Sequence, residues 1–376
     1  MAKQVILAVA GAGKTYHICH RIDPKKKNLI LGFTHENIHN IMDELIDAHG
    51  RVPELTVVMT FDSFVYRYLV CPYEPTIGEH FGQHGFVSKG ITTIDPPPQT
   101  IVRNGRQVSN PCYAPKSELR HYITMSGQYY CANLSELVMQ VKKRRYSLIN
   151  RAAADINKFF DYVLIDEFQD FREHDYDLII AIAKQIDEII LVGDYYQHSV
   201  TALNNTGKPF KKRSGDVSYG DFVEGLKNLN FSVDETTLNK SRRCSADVCK
   251  FVKEKLGINI ESHDGHEGSV IWLDEGDVET VINDSMICKL VYNRATVYYP
   301  LQFMNWSYSK GDTVAEACVI LTNDFENMDK SNFTLQDISV STRNKLYVAM
   351  TRSKGKLYLV KASVFKKFKE SYRLRQ

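Results

Sequence analysis

The sequence predicts an α/β protein of two domains with parallel sheets, the first domain carrying a small insertion. Three observations predict it. Short β-branched runs alternate with amphipathic stretches from the first residue, the pattern of βαβ units. That alternation breaks near Cys71 and resumes near Tyr162. The chain, at 376 residues, also exceeds one ordinary domain of about 100–200 residues.

Taken in order, Val5–Ala10 reads as a buried strand, Lys14–Arg21 as a helix, Asn28–Phe33 as a strand and His35–Ala48 as a helix. Thr56–Thr60 gives a strand and Asp62 to Val70 a helix. From Pro72 to Ser117, Pro96-Pro97-Pro98 and the turn pair Asn104-Gly105 mark loops and short strands. A helix follows with Leu134, Leu137, Val138 and Val141 on one face. Strands return at Tyr162–Asp166 and Glu188–Val192, and polar Asn204–Gly220 reads as a linker. Beyond it come a helix at Ala246–Leu256 and strands at Ser269–Leu273, Met286–Tyr292, Ala317–Leu321 and Lys356–Val360, ahead of a basic helical tail. The expected division is a first domain at 1–71 and 151–213, an insertion at 72–150, and a second domain at 214–376.

Composition excludes several classes. No run approaches the roughly 18 apolar residues of a membrane span. The apolar start Val5–Val9 with Ala8-Val9-Ala10 mimics a secretory signal, but is shorter than the roughly 15–30 residues one needs. The eight cysteines form no CxxC pair, which points to reduced, intracellular thiols. The expected location is cytoplasmic for a bacterial or viral source, or nuclear if eukaryotic. With 47 basic against 45 acidic residues the net charge is only +2, so any polyanion site must be a local groove.

Two segments carry chemistry. Ala8-Val9-Ala10-Gly11-Ala12-Gly13-Lys14-Thr15 follows a strand and opens a helix. Small residues let backbone N–H groups curl around phosphate oxygens at a helix N-terminus, with Lys14 reaching the outer phosphates and Thr15 a Mg²⁺ ion. Val163-Leu164-Ile165-Asp166-Glu167-Phe168-Gln169-Asp170 is an apolar strand ending in clustered acids, where a parallel sheet builds its ligand crevice. Asp166 suits Mg²⁺ and Glu167 a general base. The bland alternatives are a turn for the first segment and an acidic helix cap for the second.

These segments resemble the UvrD/Rep/PcrA branch of superfamily 1 helicases, whose loop reads A-x-A-G-x-G-K-T and whose second motif reads D-E-F/Y-Q-D. The resemblance implies two RecA-like P-loop domains that bind ATP and Mg²⁺ between them. It places nucleotide on Ala10, Gly11, Ala12, Gly13, Lys14, Thr15 and Asp166. Gly32-Phe33-Thr34-His35 and Thr60-Phe61-Asp62-Ser63-Phe64 look like the family's T-F-T-N and T-F-H-S-F, which implies nucleic-acid contacts at Thr34, Thr60, Phe61 and Ser63, with Asp62 replacing a histidine. Val192-Gly193-Asp194-Tyr195-Tyr196-Gln197 is similar to V-G-D-x-x-Q, making Gln197 a γ-phosphate sensor. Val200, Ala202 and Leu203 stand where stacking rings are usual, leaving Tyr195, Tyr196 and Phe210 as substitutes.

In the second half, Leu238-Asn239-Lys240-Ser241-Arg242-Arg243-Cys244 resembles L-x-x-N-Y-R-S and puts Arg243 on the γ-phosphate. Tyr347-Val348-Ala349-Met350-Thr351-Arg352-Ser353-Lys354 is close to Y-V-A-L-T-R-A-K, which implies an arginine finger at Arg352. Ser307-Tyr308-Ser309-Lys310-Gly311-Asp312-Thr313-Val314 looks like H-K-S-K-G-L-E-F, implying strand contacts at Ser309 and Lys310. Thr313 replaces the glutamate that holds the ribose. The expected catalytic set is Glu167, Gln197, Arg243 and Arg352. Basic runs at Lys25-Lys26-Lys27, Lys142-Lys143-Arg144-Arg145, Lys211-Lys212-Arg213 and Lys366-Lys367 read as solvated faces, with 142–145 the first candidate for a strand or duplex contact. The expected partner is single-stranded nucleic acid, DNA rather than RNA, met by a monomer that works in a replication or repair assembly. The alternative is a nucleic-acid-stimulated ATPase that displaces proteins without unwinding.

Overall fold

The computed structural model describes residues 3–143, 146–198, 207–213, 215–298 and 301–373. The first sheet holds β1 (Lys3–Leu7), β2 (Asn28–Gly32), β3 (Thr56–Thr60), β4 (Tyr162–Ile165), β5 (Ile189–Gly193) and β6 (Ser232–Asp234). Their spatial order is β6-β1-β5-β4-β2-β3, and every pair is parallel. Around them lie α1 (Lys14–Arg21), α2 (His35–His49), α3 (Leu148–Phe159), α4 (Glu173–Ala183) and α5 (Tyr219–Asn228). The second sheet contains β7 (Ser269–Leu273), β8 (Cys288–Val291), β9 (Phe303–Asn305), β10 (Ala317–Ile320) and β11 (Lys356–Val360), ordered β7-β11-β10-β8-β9 and again all parallel. With it go α6 (Ala246–Leu256), α7 (Val340–Met350) and α8 (Ala362–Arg373). Two α/β units with parallel sheets result, as expected.

Period-two alternation explains the packing. Val5, Leu7, Leu29, Leu31, Val163, Ile165, Ile189 and Leu191 face one apolar cluster of the first unit. Their neighbours Ile6, Ile30, Leu164, Ile190 and Val192 face a second cluster, which runs on without a break into Val248, Leu290, Trp306, Val319, Leu346 and Leu357 of the second unit. That shared core holds the two units together. Helix starts follow side-chain chemistry: Thr34 and Asn37 form a reciprocal capping box on α2, Ser245 caps α6 and Ser339 caps α7.

Several expectations shift. β1 ends at Leu7 rather than Ala10: Ala8 N–H still donates to the Gly193 carbonyl, but Val9 N–H turns to the Leu238 carbonyl. The helix expected from Asp62 is a short α-turn at Phe61–Phe64 that continues as a π-helix over Val65–Val70. The boundary at 213/214 moves: β6 pairs with β1, and Phe222, Val223 and Leu226 of α5 enter the first unit's core. Of the expected linker, 204–206 and 214 lie outside the described residues, Lys211–Lys212 pair with Gly215–Asp216, and Ser218 caps α5. The insertion contains a hairpin, Thr100–Arg103 with Arg106–Ser109, whose Asn104-Gly105 turn has φ of 52° and 74° at its two residues. Its helix Leu134–Gln140 buries Leu134, Leu137 and Val138.

Candidate nucleotide cleft

The first wall begins where β1 gives way to α1. Gly11 and Gly13 have φ of +71° and +81°, a left-handed region that strains any side chain. Space forbids one at Gly11 as well, since an added Cβ would lie 2.6 Å from Arg243 Cβ and 2.8 Å from Ser241 Oγ. The opposite wall therefore rests directly on this turn. Behind it, the free N–H groups of the α1 N-terminus form a region that favours anions.

The acids follow β4. Thr15 Oγ1 donates to Asp166 Oδ2 at 2.8 Å, and Glu167 N–H donates to Asp166 Oδ1 at 2.8 Å. Glu167 sits at φ 53°, an uncommon conformation for a non-glycine residue, and Lys14 Nζ lies 3.3 Å from its carboxylate. Gln169 bridges inward, donating to Glu167 through Nε2 and accepting from Asp194 N–H through Oε1. Burial, followed by the neighbouring Glu167 charge, raises Asp166 to about 6. Burial pushes Glu167 the same way, but Lys14 and Lys310 outweigh it and hold that carboxyl at about 2. Burial alone would lower the Lys14 ammonium, yet the surrounding Glu167, Asp194 and Asp166 keep it above its ordinary value.

The second wall is built from 238–243 and the end of α7. Val9 N–H donates to the Leu238 carbonyl at 2.9 Å, and Arg242 N–H to the Gly11 carbonyl at 2.8 Å. Tyr347 OH accepts from Ala10 N–H at 2.7 Å and donates to Asp194 Oδ2 at 3.2 Å. Gln197 Nε2 donates to the same oxygen at 2.8 Å. Arg243 Nη1 donates to the Thr351 carbonyl at 3.3 Å. Arg352 is fully buried, with Nε on the Val348 carbonyl at 2.9 Å and Nη1 on those of Ser309 and Asp312 at 3.1 and 3.2 Å. Its Nη2 has no partner. Burial and then the nearby Arg243 charge lower Arg352 to about 10, so this wall carries two neighbouring cations.

A nucleotide triphosphate with Mg²⁺ fits these residues. The glycine turn offers N–H groups, Lys14 offers charge, and the buried Arg352 Nη2 is a donor awaiting an acceptor. Among the described residues no three His, Cys, Asp or Glu side chains gather as a metal cluster. The Thr15 hydroxyl and Asp166 carboxylate supply the sparse protein ligands that Mg²⁺ takes beside phosphate.

The structure thus brings together Ala10, Gly11, Lys14, Thr15, Asp166, Glu167, Gln197, Arg243 and Arg352, with Ala12 and Gly13 completing the turn. The expected strand contacts fare differently. Thr34 is exposed, but its hydroxyl is engaged with Asn37, and the Thr60 hydroxyl is engaged with Ser63. Phe61 is buried against Phe171 with ring centroids 4.8 Å apart, so it belongs to the core rather than to a strand. Tyr195 is corrected likewise: it is buried among Tyr196, His198, Phe210, Tyr219 and Phe222, and its OH donates to the Val217 carbonyl. Phe210 has His198 stacked on it at 4.1 Å and Arg172 over it at 4.3 Å, leaving no ring face for a base. Ser309 is buried with its hydroxyl on the Trp306 carbonyl, and Lys310 points into the cleft rather than at a strand, 2.6 Å from both Asp170 oxygens. Arg144, Arg145, Val200, Ala202 and Leu203 lie outside the described residues.

Sequence reasoning missed three features. Tyr16, half exposed beside Thr15, has the Arg242 guanidinium 5.6 Å over its ring, an aromatic–cation pair bridging the walls. Tyr347 joins the glycine turn to Asp194, and its place in Tyr347-Val348-Ala349 was the available signal. A groove of about 360 Å³ lies outside the carboxyl ends of β8 and β10, lined by Tyr292, Asn293, Tyr298, Thr322, Asn323 and Lys369. Its aromatic, amide and ammonium groups come from loops with no periodic signature.

Residues 105–199 match the family model of the UvrD/REP helicase N-terminal domain. No curated protein matches the sequence. Among solved structures, the arterivirus nonstructural protein 10 helicase in complex with DNA is similar at 14% identity and a TM-score of 0.45, covering 95% of this chain and 60% of its own. The PRRSV helicase is similar at 12% identity and a TM-score of 0.43, covering 96% and 52%. The chain thus spans less than two thirds of either protein. The likeness to the UvrD/REP helicase N-terminal domain thus rests on residues 105–199, which span the insertion and the acidic strand end of the first unit.

Proposed function

We propose that this protein is an ATP-driven helicase or translocase acting on single-stranded nucleic acid, DNA before RNA. The observation that carries the reading is the meeting of two walls from different halves of the chain, with the 241–243 segment resting on Gly11 and Tyr347 bonded to Ala10. In this reading Lys14 and the backbone of Ala10–Thr15 receive the phosphates, and Glu167, held as a carboxylate, takes the proton of the attacking water. Gln197 reports on the outer phosphate through Asp194, while Arg243 and Arg352 face its charge. Mg²⁺ bound at Thr15 and Asp166 supplies neutralisation of the phosphate oxygens.

A triphosphate between the walls favours their contact over their separation, and that difference in affinity is what can drive movement. Ser63 on the first unit, and the groove under Tyr292 and Lys369 on the second, offer the hydroxyl, aromatic and ammonium groups that a single strand uses. The enclosure of Tyr195 and Phe210 favours a second reading, an ATPase that moves along or strips a strand without separating duplexes.

The test measures ATP hydrolysis with and without single-stranded DNA or RNA, for the wild type and Glu167→Gln. Turnover is expected to rise with one polymer and to fall about 10²–10⁴-fold in the variant while ATP binding persists. Equal turnover in both proteins would remove Glu167 from the chemistry. A strand-displacement assay beside it separates the two readings.

A further inference from the structure

Lys310 does something that neither the family resemblance nor the nucleotide reading assigns to it. The loop Trp306–Val314 is tied to the finger segment at several points. Ser309 and Asp312 carbonyls accept from Arg352 Nη1, Val314 N–H donates to the Arg352 carbonyl at 3.1 Å, and Lys354 N–H donates to the Val314 carbonyl at 2.9 Å. Gly311, at φ +96°, makes the tight bend between these ties. At the top of the bend Lys310 crosses to the other unit. Its Nζ lies 2.6 Å from both oxygens of Asp170 and 3.8 Å from Glu167 Oε2. Lysine and aspartate are both largely buried, with side-chain exposures of 16% and 6%. A buried ion pair of this kind adds little net stability but fixes geometry, since each partner is costly to leave alone.

We propose that Lys310 is a positioning residue of the ATPase site, a latch that fixes the Arg352 loop of the second unit against the acidic strand end of the first. The proposal rests on the ATPase reading for its functional consequence, though the latch itself is a property of the cleft. An ammonium bonded to both Asp170 oxygens keeps its loop, and with it the buried Arg352, in register with Lys14 and Glu167. It also gives a role to the third acid of Asp166-Glu167-Phe168-Gln169-Asp170: Asp170 is the anchor on the first wall.

The test compares Lys310→Met, Lys310→Arg, Asp170→Asn and the double variant Lys310→Met with Asp170→Asn. Turnover at saturating ATP should fall about tenfold or more in Lys310→Met with KM for ATP changed much less, as expected for a lost interaction of about this coupling strength. Lys310→Arg should recover most of the loss, and the double variant should be no worse than the poorer single one. Affinity for a single-stranded oligonucleotide, and its slope against salt, should stay that of the wild type. Small-angle scattering without nucleotide should show a larger radius of gyration for Lys310→Met. A weaker oligonucleotide complex with a salt slope reduced by about one would return Lys310 to a phosphate contact and overturn the latch. Multiplying effects in the double variant would overturn it too. If the wild type hydrolyses no ATP yet Lys310→Met still expands, the ATPase reading fails and the latch stands. If the wild type hydrolyses ATP and Lys310→Met matches it in turnover and size, the latch alone fails.

Discussion

In the cleft, the Thr15 hydroxyl reaches Asp166 across 151 residues of sequence; in the loop after β2, the Thr34 hydroxyl reaches Asn37, three residues on. The same contrast runs through both regions. Lys14 with Glu167, Lys310 with Asp170, and Tyr347 with Ala10 and Asp194 join distant parts of the chain. The hydroxyls of Thr60 and Ser309 stay within three residues of home. A side chain bonded far away defines the shape of a site, whereas one bonded locally defines where a helix or turn begins. The two groups should therefore respond differently to substitution.

The largest difference is expected at Arg352. Replacing it with alanine removes the Arg352 donor from the Ser309 and Asp312 carbonyls and the cation beside Arg243. Turnover should fall about 10³-fold, the usual value of such an arginine, and steady-state ATP hydrolysis checks it. A loss of less than tenfold would break the contrast by making Arg352 a structural residue.

Asp194 sharpens it through pH. Burial raises its carboxyl to about 6, so the folded protein binds this proton more tightly than the unfolded chain does. The sign follows: the folded state loses stability as pH rises from the unfolded value near 4 to the folded value near 6. The stability difference between Asp194→Asn and the wild type should therefore move in favour of the variant by about 1–3 kcal/mol between pH 4 and pH 7. Urea unfolding in EDTA measures it, and a pH-independent difference would contradict it.

Tyr347→Phe removes the acceptor for Ala10 N–H and the donor to Asp194. Leaving that buried N–H unpaired should cost about 1–3 kcal/mol, read from the urea midpoint. Unchanged stability would mean that the two walls separate in solution without this bond.

The smallest effect is expected at Thr34. Loss of its cap in Thr34→Ala should cost about 1 kcal/mol of stability and leave ATP turnover and oligonucleotide affinity close to wild type. An affinity loss larger than the stability change explains would make Thr34 a strand contact after all.

Much of the cleft was legible before any coordinates. A glycine-flanked lysine after an apolar run, and an apolar run ending in Asp166-Glu167, are local patterns whose chemistry needs those residue types in that spacing. The exact match of Lys14–Arg21, Thr56–Thr60, Ala246–Leu256, Ser269–Leu273 and Lys356–Val360 has the same origin, in periodicity and caps. Strand contacts were less legible. Phe61, Tyr195 and Ser309 share their motif wording with exposed residues, but burial depends on what packs over them, and no neighbouring residue encodes that. β6 was missed because three residues carry too little pattern to announce a strand.

By itself, the sequence determined the α/β rhythm, the glycine turn before Lys14 and the identity of the acids and arginines, since each depends on residues adjacent in the chain. Tertiary structure alone decided that Lys310 serves the cleft, that Tyr347 closes on Ala10, and that the first unit runs on through β6. The physical reason is that hydrogen bonds, ion pairs and sheet neighbours between distant segments arise only once the chain has packed, and no short-range pattern specifies them.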